Sequence, residues 1–405
     1  MQRNLFEKLK SHLIKKEFTI ITGARQTGKS TLLRNLETYC KNTVRQPCIF
    51  LNLENKAILS ELNNSPLNIL NYLPASSDRV VVLIDEVQYL QDPTNFMKLL
   101  YDEYHEKLKI VATGSSAFYL DNKFKDSLVG RKKIFRLPTC SFDEYLALSG
   151  NGDLIDEINR LVSNSQAKTL QLERLRNEWE TYMLYGGYPA VATESDRKTK
   201  VELLREIRDS YVKRDILESG VQNETAFYRL FTIIASQSCG ILNVNELSST
   251  LRIKSETVEN YIALMQKCYH IALIRPFFCN IRKELTKMPK IYMMDTGLRN
   301  CLLNNFQPLS IRLDKGDIWE NTCFRLLNNK YETDEINYWR TADRNEVDFV
   351  LPQAEQPFSV EAKYSETGIK QSKYKKFVEN YPDIPLRFVS MEPFNENFFR
   401  NFYFE

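Results

Sequence analysis

The stretch GARQTGKS, residues 23–30, constrains the fold of this chain more than any other part of its sequence. It matches the pattern GxxxxGK[ST], follows the apolar run FTIIT and precedes the helical pattern STLLRNLETYC. In a loop between a strand and a helix, successive backbone N–H groups surround a β-phosphate at the positive end of the helix. The sequence therefore predicts a nucleotide-binding loop.

The predicted ligands of this loop are ATP and Mg²⁺. Lys29 supplies a mobile cation for the β- and γ-phosphates, and the hydroxyl of Ser30 is offered to the metal. Gly23 and Gly28 allow backbone angles that a side chain would block. The residues predicted to contact the nucleotide are Gly23, Ala24, Arg25, Gln26, Thr27, Gly28, Lys29, Ser30, Thr31 and, further along the chain, Ser116.

The run VVVLIDEVQYL supplies carboxylates for the same site. A buried strand ends at Asp85, which can hold magnesium through water, and at Glu86, which can polarise an attacking water. This adjacent pair favours an ATP-hydrolysing protein over a small-molecule kinase. A further strand, in KIVATGSSAF, ends in Thr113, Ser115 and Ser116, which either sense the γ-phosphate or only cap a loop.

Composition restricts the compartment more than the function. The net charge of +3 is too small to mark a nucleic-acid-binding protein by itself. The eight cysteines show neither CxxC pairs nor metal-ligand spacing, which favours reduced thiols and a cytoplasmic protein. The sequence contains neither a signal-peptide core nor an apolar run of about 20 residues, so we expect any membrane contact to be peripheral.

The order of apolar patterns predicts an α/β protein with three domains. In residues 1–148, strands and helices alternate in the way that gives a parallel sheet with helices on both faces. Residues 149–288 are mainly helical, and residues 289–405 return to alternating strands and helices. Within the middle region, two short helices and an apolar hairpin in residues 242–277 predict a winged helix, which either binds DNA or serves a structural or protein-contacting role.

Several motifs, in this order, resemble a known family. They are GARQTGKSTLL, LIDEVQYL, VATGSSAF, GRKKIFRLPTCSFDEYL, YGGYPAV, KIYMMDTGL, WRTADRNEVDFVL and VEAKYS. The chain resembles prokaryotic AAA-type P-loop ATPases whose C-terminal domain is restriction-endonuclease-like. The resemblance implies an ATPase core, a helical and winged-helix middle and a nuclease-like end. It also implies that Arg131 is a cation for the γ-phosphate, in cis or from a neighbouring subunit, unless it only pairs with a surface carboxylate.

The end of the chain carries a second candidate site. Asp348 lies on one short strand, and Glu361 and Lys363 share a face of the next, so a hairpin can bring the three together. Two acids and a lysine suit metal-assisted phosphodiester hydrolysis, in which the acids bind the metal and the lysine positions a water. The spacing resembles the PD-(D/E)xK nuclease signature, with Glu320 as a helix-borne acid and Val347 where the signature has proline.

Two functions remain open at this point. The first is an ATP-hydrolysing enzyme that acts on or near nucleic acid, with DNA and further copies of the chain as partners. The second is a nucleotide-controlled switch or scaffold whose nuclease-like domain does not cleave.

Overall fold

The computed structural model describes residues 3–75, 79–114, 128–212, 221, 223–277, 288–341, 343 and 345–402. These residues form two compact units. The N-terminal unit comprises residues 1–138 with 267–269, and the C-terminal unit comprises residues 139–266 with 270–405. Each unit has its own hydrophobic core.

A five-stranded parallel sheet forms the centre of the N-terminal unit. Its strands are β1 (Phe18–Thr22), β2 (Cys48–Asn52), β3 (Val80–Asp85), β4 (Leu108–Gly114) and β5 (Lys132–Arg136). Their spatial order is β2-β3-β4-β1-β5. Strand β4 thus lies between β3 and β1, and the carboxyl ends of all the strands meet at one edge. Continuous Val/Ile/Leu runs are typical of parallel strands that are buried on both faces. The parallel sheet found here confirms the predicted α/β fold class.

Helices cover both faces of the sheet. They are α1 (Leu5–His12), α2 (Lys29–Tyr39), α3 (Lys56–Asn64) and α4 (Pro93–Tyr104). On β3, Val81 and Leu83 pack in one cluster with the leucines of α2, and Val82 and Ile84 pack in the other with Phe96 of α4. Each such buried side chain contributes about 1.5–3 kcal/mol to folding.

The first half of the C-terminal unit is helical. Its helices are α5 (Phe142–Leu148), α6 (Asp153–Ser163), α7 (Leu172–Tyr185), α8 (Pro189–Thr193), α9 (Arg197–Glu206), α10 (Glu224–Ser236), α11 (Val244–Leu251) and α12 (Ser255–Lys267). Aromatic rings hold the first of them together, with Phe142 and Trp179 at 4.4 Å between ring centroids. Helices α11 and α12 lie in residues 242–277, the region predicted to form a winged helix, and the strand β6 (Ile271–Pro276) is also within it.

The second half contains a mixed six-stranded sheet. Its strands are β6 (Ile271–Pro276), β7 (Lys290–Met293), β8 (Asn337–Arg340), β9 (Glu346–Leu351), β10 (Phe358–Ser365) and β11 (Leu386–Glu392), in the order β11-β10-β9-β8-β6-β7. Its helices are α13 (Thr296–Leu302), α14 (Lys315–Lys330), α15 (Lys375–Asn380) and α16 (Asn397–Phe402). Strand β6 pairs with β8, so this sheet draws strands from both sides of the boundary predicted at residue 288.

Shorter helical turns complete the described chain. They are the 3-10 helices Pro66–Tyr72, Val87–Tyr89, Leu309–Ile311, Thr333–Glu335, Glu366–Gly368 and Gln371–Tyr374, and the π-helical turns Cys40–Val44 and Ile207–Val212.

Candidate functional site

The predicted nucleotide loop joins the carboxyl end of β1 to the first residue of α2. Gly28 adopts the left-handed conformation, with φ 91°, and directly precedes the helix. Gly23 needs its small size, because a Cβ there would come within 2.2 Å of the carbonyl oxygen of Leu137. The N–H groups in the first turn of α2 lack partners within the helix, so the loop and the turn together offer donors to an anion.

Lys29 lies across this loop. Its side chain is buried, and its Nζ donates to the carbonyl oxygens of Gly23 at 2.9 Å and Ala24 at 2.8 Å. Ser30 and Thr31, the next two residues of α2, are exposed. The ammonium therefore lies against the loop, and the hydroxyls of the first helical turn are accessible.

Sequence reasoning missed one residue that supports the loop. Arg3 is buried, and its guanidinium donates to the carbonyl oxygens of Thr27 at 2.6 Å and Pro138 at 2.7 Å. The hydroxyl of Thr27 in turn donates to the carbonyl of Ala24 at 2.9 Å. Since the partners of Arg3 lie 24 and 135 residues away, local spacing carried no signal for this role.

One hydroxyl contacts both acidic residues at the end of β3. Thr113 of β4 donates to Oδ1 of Asp85 at 2.5 Å and accepts the backbone N–H of Glu86 at 3.1 Å. Glu86 itself has a left-handed backbone, with φ 61°, and Gln88 donates to its carboxylate. Burial raises the pKa of Glu86, while the ammonium of Lys29 acts in the opposite direction. The electrostatic link between Glu86 and Lys29 connects the end of β3 to the loop.

The other residues predicted to contact the nucleotide or to sense its γ-phosphate differ in where the structure places them. Thr113 is buried and bonded to Asp85, as described above. Ser115 and Ser116 lie outside the described residues. Arg25 and Thr27 are buried, and Gln26 has a left-handed backbone with φ 60°.

Arg131 does not lie beside the loop of its own chain. It directly precedes β5, and its carbonyl accepts the N–H of Phe18, the first residue of β1. Because β1 and β5 are parallel, this position is at the amino edge of the sheet, opposite the nucleotide loop. The guanidinium forms an ion pair with Asp102, with Nε to Oδ1 at 2.6 Å. Arg131 thus forms the surface ion pair that was the alternative to a catalytic role. From the opposite edge of the sheet, its guanidinium does not reach a γ-phosphate bound by its own chain. Contact of Arg131 with the γ-phosphate of a neighbouring subunit stays a prediction.

The C-terminal unit brings its three signature residues together. Strands β9 and β10 are antiparallel, and the N–H of Asp348 donates to Glu361 at 3.2 Å while the N–H of Ala362 donates to Asp348 at 3.0 Å. Lys363 pairs with Glu361, and its Nζ lies 3.7 Å from Oδ2 of Asp348. Tyr374 also donates to Glu361, at 2.8 Å.

A second lysine, missed in the sequence, lies in the same cluster. Lys290 of β7 is buried, and its Nζ lies 2.7 Å from Glu320, 2.6 Å from Glu346 and 3.2 Å from Asp348. Glu320 therefore joins the cluster from α14, as predicted for a helix-borne acid, and also accepts the hydroxyl of Tyr292 at 2.8 Å. We refer below to Glu320, Glu346, Asp348 and Glu361 with Lys290 and Lys363 as the carboxylate cluster.

Burial dominates the electrostatics of this cluster. It raises the pKa of Glu320 to about 8 and that of Glu361 to about 7, with Asp348 adding to both shifts. Burial opposes the charged form of Lys290, yet Glu320 and its neighbours raise the pKa of this lysine well above its usual value. Within the described ranges, no group of three or more His, Cys, Asp or Glu side chains is arranged to hold a metal ion.

Comparisons with known families divide the chain in three. Residues 15–146 match a family model described as an AAA domain. This match supports a P-loop AAA fold for the region that holds Lys29, Asp85 and Glu86. Residues 176–309 and 315–398 match two domains of unknown function, DUF8612 and DUF4143 respectively. The nuclease-like character of the C-terminal region therefore stays a prediction.

Uncharacterized proteins of bacteria and archaea are similar to most of this chain. An uncharacterized protein of Haemophilus influenzae is 24% identical over 360 residues, which cover 85% of this chain and 82% of that protein. An uncharacterized protein of Mycobacterium tuberculosis is 24% identical over 369 residues, which cover 90% and 74%. A third, from Methanocaldococcus jannaschii, is 23% identical over 346 residues, which cover 84% and 73%.

Solved structures give weak overall similarity. The ORC1 protein of Aeropyrum pernix in complex with DNA has 10% identity and a TM-score of 0.33, with 75% of this chain and 93% of that chain covered. The RuvB Holliday junction branch migration motor of Thermotoga maritima has 17% identity and a TM-score of 0.34, with 67% and 89% covered. Scores at this level support no statement about activity or partners.

None of the helices in the described ranges has the length and apolar composition of a membrane span.

Proposed function

We propose that this protein binds ATP and hydrolyses it with magnesium. One observation carries the proposal: the loop at the start of α2 holds Lys29 against its own carbonyls, while Thr113 joins Asp85 and Glu86 at the end of β3. A cation, helix N-terminal donors and two carboxylates thus belong to one edge of the sheet, which is what phosphoryl transfer to water requires.

Each residue has a stated role in this proposal. The backbone N–H groups of residues 23–31 bind the phosphates. The ammonium of Lys29 moves away from the carbonyl oxygens of Gly23 and Ala24 and neutralises the β- and γ-phosphates. The exposed hydroxyl of Ser30 and the carboxylate of Asp85 fit a hard cation, which would supply charge neutralisation at the phosphates. Glu86 orients and polarises the attacking water, and its raised pKa brings its basicity closer to that of an effective general base.

Two substitutions test the proposal because they should separate binding from turnover. Lys29→Ala should abolish ATP binding in calorimetry, since the backbone alone cannot neutralise a triphosphate. Glu86→Gln should retain ATP binding and lose about 10²-fold or more in turnover, since an amide can hold a water but cannot accept its proton.

A matched control is Lys41→Ala. Lys41 is exposed, lies just after the end of α2 and forms an ion pair with Glu37 of that helix. This variant should bind and hydrolyse ATP like the wild type. Unchanged ATP affinity in Lys29→Ala, or wild-type turnover in Glu86→Gln, would remove the corresponding residue from the site.

We extend the proposal to nucleic acid as the partner of the C-terminal unit. Helices α11 and α12 are separated by three residues, and the antiparallel strands β6 and β7 follow them, an order of elements that supports a winged helix. The exposed side chains of α12 include Glu256 and Asn260 and are not strongly basic. A pull-down of nucleic acid with and without ATP, followed by sequencing, tests this part, and retention of nothing above background would contradict it.

The carboxylate cluster leaves two versions of the function. In one, the cluster cleaves phosphodiesters with a metal held by Asp348, Glu361 and Glu320. In the other, the nuclease-like domain only binds, and the protein is a nucleotide-controlled switch or scaffold. A metal-dependent nicking assay with Asp348→Ala as the control separates them.

A further inference from the structure

The position of Lys290 bears directly on the choice between these versions. Lys290 is the first residue of β7, and its side chain is only 2% exposed. Its Nζ lies within 3.2 Å of carboxylate oxygens from Glu320, Glu346 and Asp348. A lysine ammonium has three N–H donors, so three carboxylate acceptors at these distances satisfy it completely.

The surrounding backbone holds this lysine in place. Lys290 pairs with Ile274 of β6 in the sheet, and it also forms an isolated antiparallel bridge with Ile241. Tyr292, two residues further along β7, is buried, and its hydroxyl donates to Glu320 of α14. A lysine whose backbone is paired on two sides and whose charged end is buried does not leave its acceptors easily.

We propose that Lys290 is the resident cation of the carboxylate cluster, and that it excludes a divalent metal from the position between Glu320 and Asp348. A metal ion bound to both of these carboxylates would lie within a few ångströms of the Lys290 ammonium, and repulsion between like charges at that distance is strong in a buried site. The cluster therefore does not bind the metal that phosphodiester cleavage needs. The nuclease-like domain acts by binding, as in the second version of the function.

The net charge of the cluster also favours the exclusion of a divalent metal by Lys290. With all four carboxylates ionised, their charge is −4, and Lys290, Lys363 and Arg340, which pairs with Glu346 at 3.3 Å, contribute +3. The sum is −1, so a divalent cation added to this set would leave an excess of +1. Without Lys290 the sum is −2, which one divalent cation neutralises.

The test is Mn²⁺ binding by the full-length chain without nucleotide, followed by electron paramagnetic resonance of the free ion. Lys290→Met keeps the apolar length of the side chain and removes its charge. We expect Lys290→Met to bind one Mn²⁺ at least about tenfold more tightly than the wild type, because the competing charge is gone. The double variant Lys290→Met/Asp348→Asn should lose the gained site.

The wild type provides a second and independent measurement, which applies even when Lys290→Met does not fold. Asp348→Asn alone should leave the Mn²⁺ binding of the wild type unchanged. Wild-type Mn²⁺ binding that Asp348→Asn abolishes would overturn the proposal, as would a folded Lys290→Met variant that gains no site. Because no step here involves ATP, either result leaves the proposed ATP hydrolysis untouched, and thermal unfolding of each variant followed by circular dichroism reports whether the unit that contains Lys290 is folded.

Discussion

At the scale of single residues, Thr113 links the carboxylate of Asp85 to the backbone of Glu86 in the nucleotide site. One hydroxyl donates to Asp85 and accepts from the N–H of Glu86, so it fixes the side chain of the first and the backbone of the second. Strand β4 can supply this hydroxyl because it lies between β3 and β1. Removing the hydroxyl should disturb the orientation of both acids without changing the size of the side chain.

We therefore predict that Thr113→Val retains ATP binding and loses about 10- to 100-fold in turnover, the range that follows when outer hydrogen bonds to catalytic groups are removed. Steady-state hydrolysis and calorimetry measure the two quantities. Thr38→Val, which removes an exposed hydroxyl from the far end of α2, is the matched control. A turnover equal to that of the control would show that Thr113 has only a structural role.

A second residue-scale prediction concerns Lys109, which is completely buried in β4. Its Nζ donates to the carbonyls of Lys15 and Glu17 and lies 3.2 Å from Nδ1 of His12. Burial lowers the pKa of Lys109 to about 7, whereas an unfolded lysine titrates near ~10.4. Between these values the unfolded chain binds the extra proton, so the free energy of unfolding should rise with pH from about 7 to ~10.

Lys109→Met should abolish this rise, since it removes the titrating group. Urea unfolding at pH 7, 8 and 9 provides the measurement, and Lys98→Met, which alters an exposed lysine of α4, should keep the wild-type pH dependence. Parallel pH profiles for the wild type and Lys109→Met would contradict the prediction.

At the scale of elements, the start of α2 depends on the left-handed conformation of Gly28. Gly130 has a similar backbone, with φ 74°, and a Cβ added there meets no atom within 4 Å. Alanine at either position should cost about 1 kcal/mol in backbone strain. Only Gly28→Ala should also weaken ATP binding, because its strain falls on the donors that face the phosphates. Equal ATP affinity of the two variants in calorimetry would refute this.

The sequence predicted elements where the evidence is local. The strand, loop and first turn of α2 are contiguous, and burial on both faces of β3 follows from its Val/Ile/Leu run, so these predictions agree with the structure. The position of Arg131 was predictable in part, because a residue that precedes a parallel strand lies at the amino edge of the sheet. Lys290 was not predictable, since it is 58 residues from Asp348 and meets it only through the sheet.

At the scale of the whole molecule, each unit has separate hydrophobic clusters. We predict two transitions in scanning calorimetry, and ATP with Mg²⁺ should raise only the transition of the N-terminal unit. At a ligand concentration ~100 times Kd, the expected stabilisation is about 2.7 kcal/mol. Lys29→Ala should remove the shift. A single transition, or an equal shift of both, would contradict the prediction.

The contact of Lys290 with its three carboxylates also has a consequence for inheritance. Lys290 lies in the segment 176–309 that matches DUF8612, whereas Glu320, Glu346 and Asp348 lie in the segment 315–398 that matches DUF4143. A chain that carried the second segment alone would hold one buried and two half-buried acids without this counter-ion. We therefore expect the two segments to pass through evolution together, and a gene that holds the second without the first to have lost an acid or gained a base elsewhere.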